Sequence, residues 1–292
     1  MPRMSYLNGR FLPHAQASVP IEDRGLQFSD SVYEVVAVFN GRPLDRGPHF
    51  RRLKRSLGEL RIRNPLTREG FRRALARLVR RNAIREGLVY LQITRGVAER
   101  DHAFPPRGVA PTVIMTARAF DVNALRRRQR QGVAVLLVGE NRWARPDIKS
   151  TSLLGNVLAK QAAREAGCFE AVYMSPDGCV TEGTSSNIWI VTGKGEAVTR
   201  TTGKDILAGV TRDSLRAVLT ATGVKLAARP FRVRELKAAR EAFLTSTSSL
   251  VTPIVRVSGK KIGTGKPGPI TQKLIAAYWS YVRKQTGFRR LD

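Results

Sequence analysis

The apolar positions of this chain change period repeatedly, and each change marks an element. Met4 to Phe11 reads as a short hairpin around Asn8-Gly9, a strong turn dipeptide. Ser31 to Phe39 follows as a β-branched and aromatic run closed by a second turn, Asn40-Gly41, so the first forty residues announce a sheet. Helical spacing takes over from His49 to Leu60 and from Thr67 to Ile84, the second helix opened by Thr67 with Glu69 in its first turn. Leu88 to Thr94 and Thr112 to Ala117 return to strand patterns, which makes this half α+β.

Past an arginine-rich stretch with few large apolar residues, Asp121 to Gln131, the pattern begins again. That stretch is the expected linker between an N-terminal α/β domain, residues 1–120, and a larger, β-rich C-terminal domain, residues 132–292. Gly132 to Gly139 is a near-continuous apolar strand of the kind buried on both faces. A helix follows with Leu153, Leu154, Val157 and Leu158 on one stripe and Gly167 as its stop, and Ser150, Thr151 and Ser152 are placed to cap it. Ala171 to Ser175 and Ile188 to Val191 are strands, with turns at Asp177-Gly178 and Gly193-Lys194. Leu207 to Asp213 opens a helix reaching about Thr222. Glu241 to Thr245 and Val251 to Val257 flank the hydroxyl cluster Ser246 to Ser249, and Ile270 to Lys284 closes the chain as a helix.

Charge modifies this picture without redirecting it. Lys and Arg outnumber Asp and Glu by 51 to 23, a formal +28, which by itself suggests a polyanion partner. The basic residues are spread along the predicted helices and are not interleaved with aromatics, so they read as solvated faces, with no specific nucleic acid implied. Two cysteines eleven apart, Cys168 and Cys179, form neither a CxxC pair nor a disulfide framework. No run reaches membrane-span length, and the expectation is a cytoplasmic protein. His14, His49 and His102 are too scattered to form a metal site by spacing.

The candidate chemistry centres on Lys149, just ahead of a helix in an arginine-dominated chain. Lysine forms Schiff bases with carbonyl compounds once its amine is freed. Arg100 and His102, two apart in a polar loop, face the same way on an extended backbone and could grip one carboxylate together. Glu182 stands alone among small polar residues, Val180 to Asn187.

Taken together, Tyr33-Glu34-Val35-Val36, His49-Phe50-Arg51-Arg52-Leu53, Lys149 with Leu153-Leu154-Gly155-Asn156, Thr181-Glu182-Gly183 with Ser186-Asn187, Gly209-Val210-Thr211-Arg212 and Thr245-Ser246-Thr247 resemble the class IV aminotransferases. These are enzymes of pyridoxal phosphate fold type IV, a two-domain α+β architecture, and the resemblance spans nearly the whole chain. It implies that Lys149 holds pyridoxal 5′-phosphate as a Schiff base and shuttles the proton, and that Glu182 pairs with the pyridine nitrogen. Arg52, Ser186, Asn187, Val210, Thr211, Ser246 and Thr247 are then cofactor-binding positions, with helix N-terminal N–H groups and a guanidinium on the phosphate. Arg100 and His102 resemble the carboxylate-binding pair of the D-amino-acid transaminase branch, completed by Tyr33 and reaching in from the neighbouring subunit of a homodimer.

The expected activity is therefore ping-pong transfer of an amino group from a D-amino acid such as D-alanine to an α-keto acid such as 2-oxoglutarate. A 4-amino-4-deoxychorismate lyase and a branched-chain L-amino-acid transaminase are the alternatives on the same site, and a polyanion-binding protein is the alternative from another class. Ser31, where the family often has Gly, and Leu250, where an acidic residue often follows the hydroxyl cluster, depart from the pattern.

Overall fold

The computed structural model describes residues 3–289 and divides into two compact units. The first comprises the chain up to Asp121, Ile148–Ser152, and the chain from Val282 on; the second comprises Val122–Asp147 and Leu153–Tyr281. Lys149 thus belongs to the unit formed mainly by the N-terminal half.

In the first unit, β1 (Met4–Leu7), β2 (Arg10–Pro13), α1 (Arg24–Phe28), β3 (Ser31–Phe39), β4 (Arg42–Pro43), α2 (Arg46–Glu59), α3 (Arg68–Arg81), β5 (Gly87–Thr94) and β6 (Val113–Ala119) follow in order. The six strands form one antiparallel sheet in the order β2-β1-β6-β5-β3-β4. The predicted turns hold, with Asn8 and Asn40 in the left-handed region beside their glycines. Thr67 caps α3, its hydroxyl accepting from Gly70 N–H at 2.9 Å. Because side chains alternate across a strand, Val32, Val36, Val89, Leu91, Ile93 and Met115 fall on one face, where Leu53 and Leu57 of α2 and Phe71, Leu75 and Leu78 of α3 complete a core. Tyr33 and Val35 of β3 with Tyr90 and Gln92 of β5 lie on the other face and are half-buried. The α3 arginines Arg68, Arg72, Arg73, Arg77 and Arg80 are exposed, as the solvated-face reading requires.

The second unit holds α4 (Val122–Gln131), β7 (Val133–Gly139), α5 (Leu154–Glu165), β8 (Glu170–Met174), β9 (Val180–Gly183), β10 (Asn187–Val191), β11 (Ala197–Thr199), α6 (Val210–Thr222), β12 (Leu226–Ala228), α7 (Val233–Ala238), β13 (Glu241–Ser246), β14 (Leu250–Val257), β15 (Lys260–Lys261) and most of α8 (Pro269–Thr286). Its nine-stranded mixed sheet runs β12-β11-β10-β13-β14-β7-β8-β9, with β15 on β14. Val135, Val172, Ile188, Ile190, Leu244 and Val257 anchor the core. The stretch expected as a linker is the helix α4 of this unit, which buries Leu125 and Gln129 and leaves several of its arginines outward.

Two local expectations are corrected. The predicted doubly buried strand, β7, buries Val133 and Val135 but leaves Leu136 to Val138 only partly covered. Ser150, Thr151 and Ser152 do not cap α5, whose N-cap is Leu153 without a side-chain hydrogen bond. Ser150 and Thr151 are committed to β3 instead: Ser150 forms an antiparallel bridge with Val32, and Thr151 N–H donates to Ser31 O at 3.1 Å. The apolar stripe on α5 lies largely in solvent: Leu154, Val157 and Leu158 are 78%, 59% and 64% exposed, while Ala159 and Ala163 face inward. Three large apolar side chains at i, i+3 and i+4 left in water mark a surface suited to a partner.

Candidate active site

Lys149 is held by strand-like pairing. Its carbonyl accepts from Tyr33 N–H at 2.9 Å, and its own N–H donates to Ser56 Oγ of α2 at 3.2 Å. The segment's backbone is therefore tied to β3 and α2 while the side chain stays half-buried. Its Nζ lies 4.0 Å from the centroid of the Tyr33 ring, and among the described residues it makes no ion pair or hydrogen bond. A ring face is not a carboxylate or a carbonyl, so no other side chain ties up Nζ through an ion pair or a hydrogen bond among the described residues.

Ser31, the departure from the family pattern, belongs to the same framework. Tyr90 Oη donates to Gln92 Oε1 at 2.9 Å, Gln92 Nε2 donates to Ser31 Oγ at 3.0 Å, and Ser31 Oγ meets Thr151 Oγ1 at 2.5 Å. Tyr90 also stacks on Tyr33, centroids 5.8 Å apart, and burial together with Tyr33 pushes its hydroxyl up to about 12. A serine at position 31 thus fastens the lysine segment through its neighbour Thr151. Leu250, the other departure, is buried at the start of β14 with a positive φ of 46°.

Arg52 sits on α2 beside an anion to which the sequence pattern assigned no chemistry. Glu34, fully buried on β3, accepts from Arg52 Nε and Nη2, each at 2.8 Å, and contacts His49 Nδ1 at 2.7 Å. Burial by itself would raise the Glu34 carboxyl, but the charge and hydrogen bonds of Arg52 and His49 outweigh it and hold the group down at about 2. The alternation of β3 foretold that residue 34 points into the core. What it could not reveal is that two side chains of α2 reach the same carboxylate.

Arg100 and His102 are exposed, and both meet Phe28 at the end of α1. The Arg100 guanidinium carbon is 5.1 Å from that ring's centroid, and the His102 ring lies at 5.4 Å. The two side chains are thus gathered on one platform, as joint grip of a carboxylate requires. Neither contacts Tyr33 or Lys149 of the same chain in any hydrogen bond, ion pair or ring contact found among the described residues.

In the second unit, Glu182 is buried on β9. Its Oε2 accepts from Asn187 Nδ2 at 3.2 Å and from Leu207 N–H at 3.1 Å, while Oε1 takes a short charged contact from Arg142 Nη1. Arg142 also donates to Glu140 at 2.8 and 2.7 Å and lies over the Tyr173 ring. Burial would lower the Arg142 pKa, but Glu140 and Glu182 hold it above its ordinary value, so it is a permanent cation. Burial pushes the Tyr173 hydroxyl up to about 12 against the pull of Arg142. Nothing in the sequence pattern linked Arg142 to a carboxylate forty positions away.

Asn187 ties Glu182 to the start of α6. A Cβ on Gly209 would come within 2.0 Å of Asn187 Oδ1, so glycine is what lets the helix approach. The α6 N-terminus has no side-chain cap, and among the described residues the buried N–H groups of Val210 and Thr211 find no protein partner. Uncapped, buried helix N–H groups are a place for an anion. Ser246 and Thr247 lie at the β13–β14 turn, half-buried; Ser246 Oγ accepts from Ser249 N–H at 3.1 Å. The Ser186 hydroxyl is turned to Glu170 at 3.2 Å, a buried carboxylate also served by Thr184 and Ser185.

Each unit by itself holds groups suited to pyridoxal phosphate: the first has an Nζ without an acceptor among the described residues, of the kind that takes an aldehyde, and the second has a buried carboxylate suited to a ring nitrogen and unsatisfied helix N–H groups suited to a phosphate. Among the described residues no cluster of His, Cys, Asp and Glu suits a metal ion, and no helix is long and apolar enough to cross a membrane.

Known proteins resemble the chain in sequence and in fold. Residues 31–257 match the model for amino-transferase class IV. The chain is 37% identical to a D-alanine aminotransferase of Bacillus licheniformis over 96% of this chain and 97% of the relative. Its fold superimposes on the branched-chain amino acid aminotransferase of Escherichia coli with a TM-score of 0.90 at 22% identity, covering 100% of this chain and 97% of the other. The branched-chain amino acid aminotransferase of Thermobaculum terrenum, solved in its PLP-form, gives a TM-score of 0.85 at 25% identity, covering 97% of this chain and 95% of the other.

Proposed function

Because the chain belongs to the class IV aminotransferases, we propose that it is a pyridoxal-phosphate-dependent D-amino-acid transaminase, moving an amino group from a D-amino acid such as D-alanine to an α-keto acid such as 2-oxoglutarate. The observation that carries the reading is Lys149, whose Nζ lies over a ring with no acceptor of its own among the described residues. When bound, the cofactor supplies an electron sink for negative charge at the substrate Cα.

The residues of the chain do the rest. The Lys149 amine would hold the cofactor at its aldehyde carbon, and its Nζ would take the proton from the substrate Cα and later return it. Glu182 would offer its charge to the ring nitrogen, kept in place by Arg142 and Asn187. Val210, Thr211, Arg52, Ser246 and Thr247 would hold the phosphate. Arg100 and His102, with Tyr33, would hold the substrate α-carboxylate and so decide which face of Cα meets the amine, which is the basis for choosing D over L.

Purified protein with pyridoxal phosphate is expected to lose its visible absorption band and release pyruvate with D-alanine, but not with L-alanine. Conversion of L-leucine would move the assignment to the branched-chain branch, and release of pyruvate and aminobenzoate from aminodeoxychorismate would make it a lyase.

A homodimer completes the proposal, since Arg100 and His102 do not reach Lys149 of their own chain and Leu154, Val157 and Leu158 present an uncovered apolar stripe. Replacing these three by glutamine is expected to halve the mass seen by light scattering; an unchanged mass would remove α5 from the interface. The two unpaired cysteines, one half-buried and one buried, suit the reducing cytoplasm as the place of work.

A further inference from the structure

The loop bearing Arg100 and His102 is exposed, yet it is fastened from beneath by side chains to which the reaction assigns no part. Asp30 serves two buried guanidiniums at once: it accepts from Arg24 Nε at 2.9 Å and from Arg95 Nε and Nη2 at 2.6 and 2.9 Å. Arg24 is 3% exposed and Arg95 9%, so each needs this anion. Their remaining donors go to backbone. Arg95 holds Leu60 O at 2.8 Å and Arg61 O at 3.2 Å. Arg24 holds Asp101 O at 2.6 Å and reaches His102 O at 3.5 Å, which pins the carbonyls of the Arg-x-His segment itself.

The short helix α1 is docked for this task. Its first residue, Arg24, donates its N–H to Gly96 O at 2.9 Å, and Asp23, bridged to Val97, caps Gly25 and accepts from Thr94 Oγ1 at 3.0 Å. At its other end Phe28 lies under three groups: Arg24 at 4.7 Å, Arg100 at 5.1 Å and His102 at 5.4 Å. Phe104, further along the loop, is covered by Arg95 at 3.7 Å and Arg61 at 4.7 Å. Backbone and side chains of the carboxylate pair are thus oriented by one cluster within one unit.

We propose that Asp30, Arg24 and Phe28 are positioning residues for substrate-carboxylate binding and enantiomer choice, a proposal that rests on Arg100 and His102 being the carboxylate pair. A flexible arginine on a free loop would have to be ordered by the substrate. Here the ordering is built into the fold, so the substrate's binding energy is not spent on it. The exposed pair can then reach outward into a neighbouring subunit without losing its geometry.

The test compares holoenzyme of wild type, Arg100→Ala, Asp30→Asn and Phe28→Leu in steady-state kinetics with D-alanine and L-alanine, in cofactor titration, and in limited trypsin digestion. Asp30→Asn and Phe28→Leu are expected to raise KM for D-alanine on the order of tenfold and to lower the D-to-L ratio. They should leave kcat within about twofold and cofactor affinity unchanged, and cleavage after Arg100 and Arg107 should quicken. Unchanged KM in both variants while Arg100→Ala raises it would overturn the proposal, as would kcat and cofactor affinity falling in step with KM, which marks general loosening. Unchanged KM in Arg100→Ala would sink the carboxylate reading and this proposal with it. Should Asp30→Asn fail to fold, Phe28→Leu, which leaves the ion cluster intact, decides.

Discussion

Lys149→Ala is expected to leave the protein folded and the transamination lost, with turnover down by about 10⁴-fold or more, the upper range for removing a proton-transfer group. Stability should hardly move, because the ammonium has no ion pair to lose among the described residues and its contact with Tyr33 is worth only about 0.5–1 kcal/mol. The bonds that fix the segment, Lys149 O to Tyr33 N–H and Lys149 N–H to Ser56, are backbone at residue 149 and survive the change. The hydroxyls of Ser31 and Thr151 are paired with each other, and Tyr33 turns its ring face to Nζ. Borohydride treatment with pyridoxal phosphate, followed by peptide mass analysis, should label Lys149 in the wild type and nothing in the variant. Wild-type label on another lysine, or activity retained by the variant, would remove Lys149 from the chemistry.

The second large effect is on folding. Glu34 is fully buried and accepts from Arg52 Nε and Nη2 while contacting the buried His49, so Glu34→Ala would remove the carboxylate that both side chains meet, a loss of about 3–5 kcal/mol. The same carboxylate makes stability depend on acid. Its folded pKa of about 2 lies below the ordinary 4.5, so the stabilisation is complete above pH 4.5 and disappears as pH falls toward 2. The difference corresponds to about 3 kcal/mol, more than half of it gone by pH 3. Denaturant unfolding of wild type and Glu34→Gln at pH 7 and pH 3 checks this. The gap between them should narrow sharply at pH 3, and an equal gap at both pH values would mean that Glu34 is not held ionised. Because Arg52 is also a proposed phosphate ligand, cofactor retention should weaken together with stability.

How much of this could be read before folding depends on the range of the forces involved. The hairpin at Asn8-Gly9, the strand Ser31–Phe39 and the cap at Thr67 follow from turn geometry, alternation and a single side-chain bond, all settled within a few residues. The order of six motifs was enough to single out Lys149, Glu182 and Arg52, since each is a residue type that its expected chemistry requires. The surroundings of those residues were not legible. Ser150 to Ser152 look like a capping run because hydroxyls before an apolar stripe usually are one, but backbone pairing with β3, some 120 positions earlier, claims Ser150 and Thr151. Leu154, Val157 and Leu158 look like core because the period of a helix is the same whether its apolar stripe meets its own chain or another copy.

The sequence by itself therefore determined the elements, the α+β class, the family and the identity of the candidate reactive lysine, because local geometry and side-chain chemistry travel with the residue. Only the tertiary structure decided that Glu34 is the anion for Arg52, that Arg142 and Asn187 grip Glu182, and that Asp30 fastens the Arg100 loop. A buried charge must find its partner in space, and no spacing along a chain records which distant side chain the fold will bring to it.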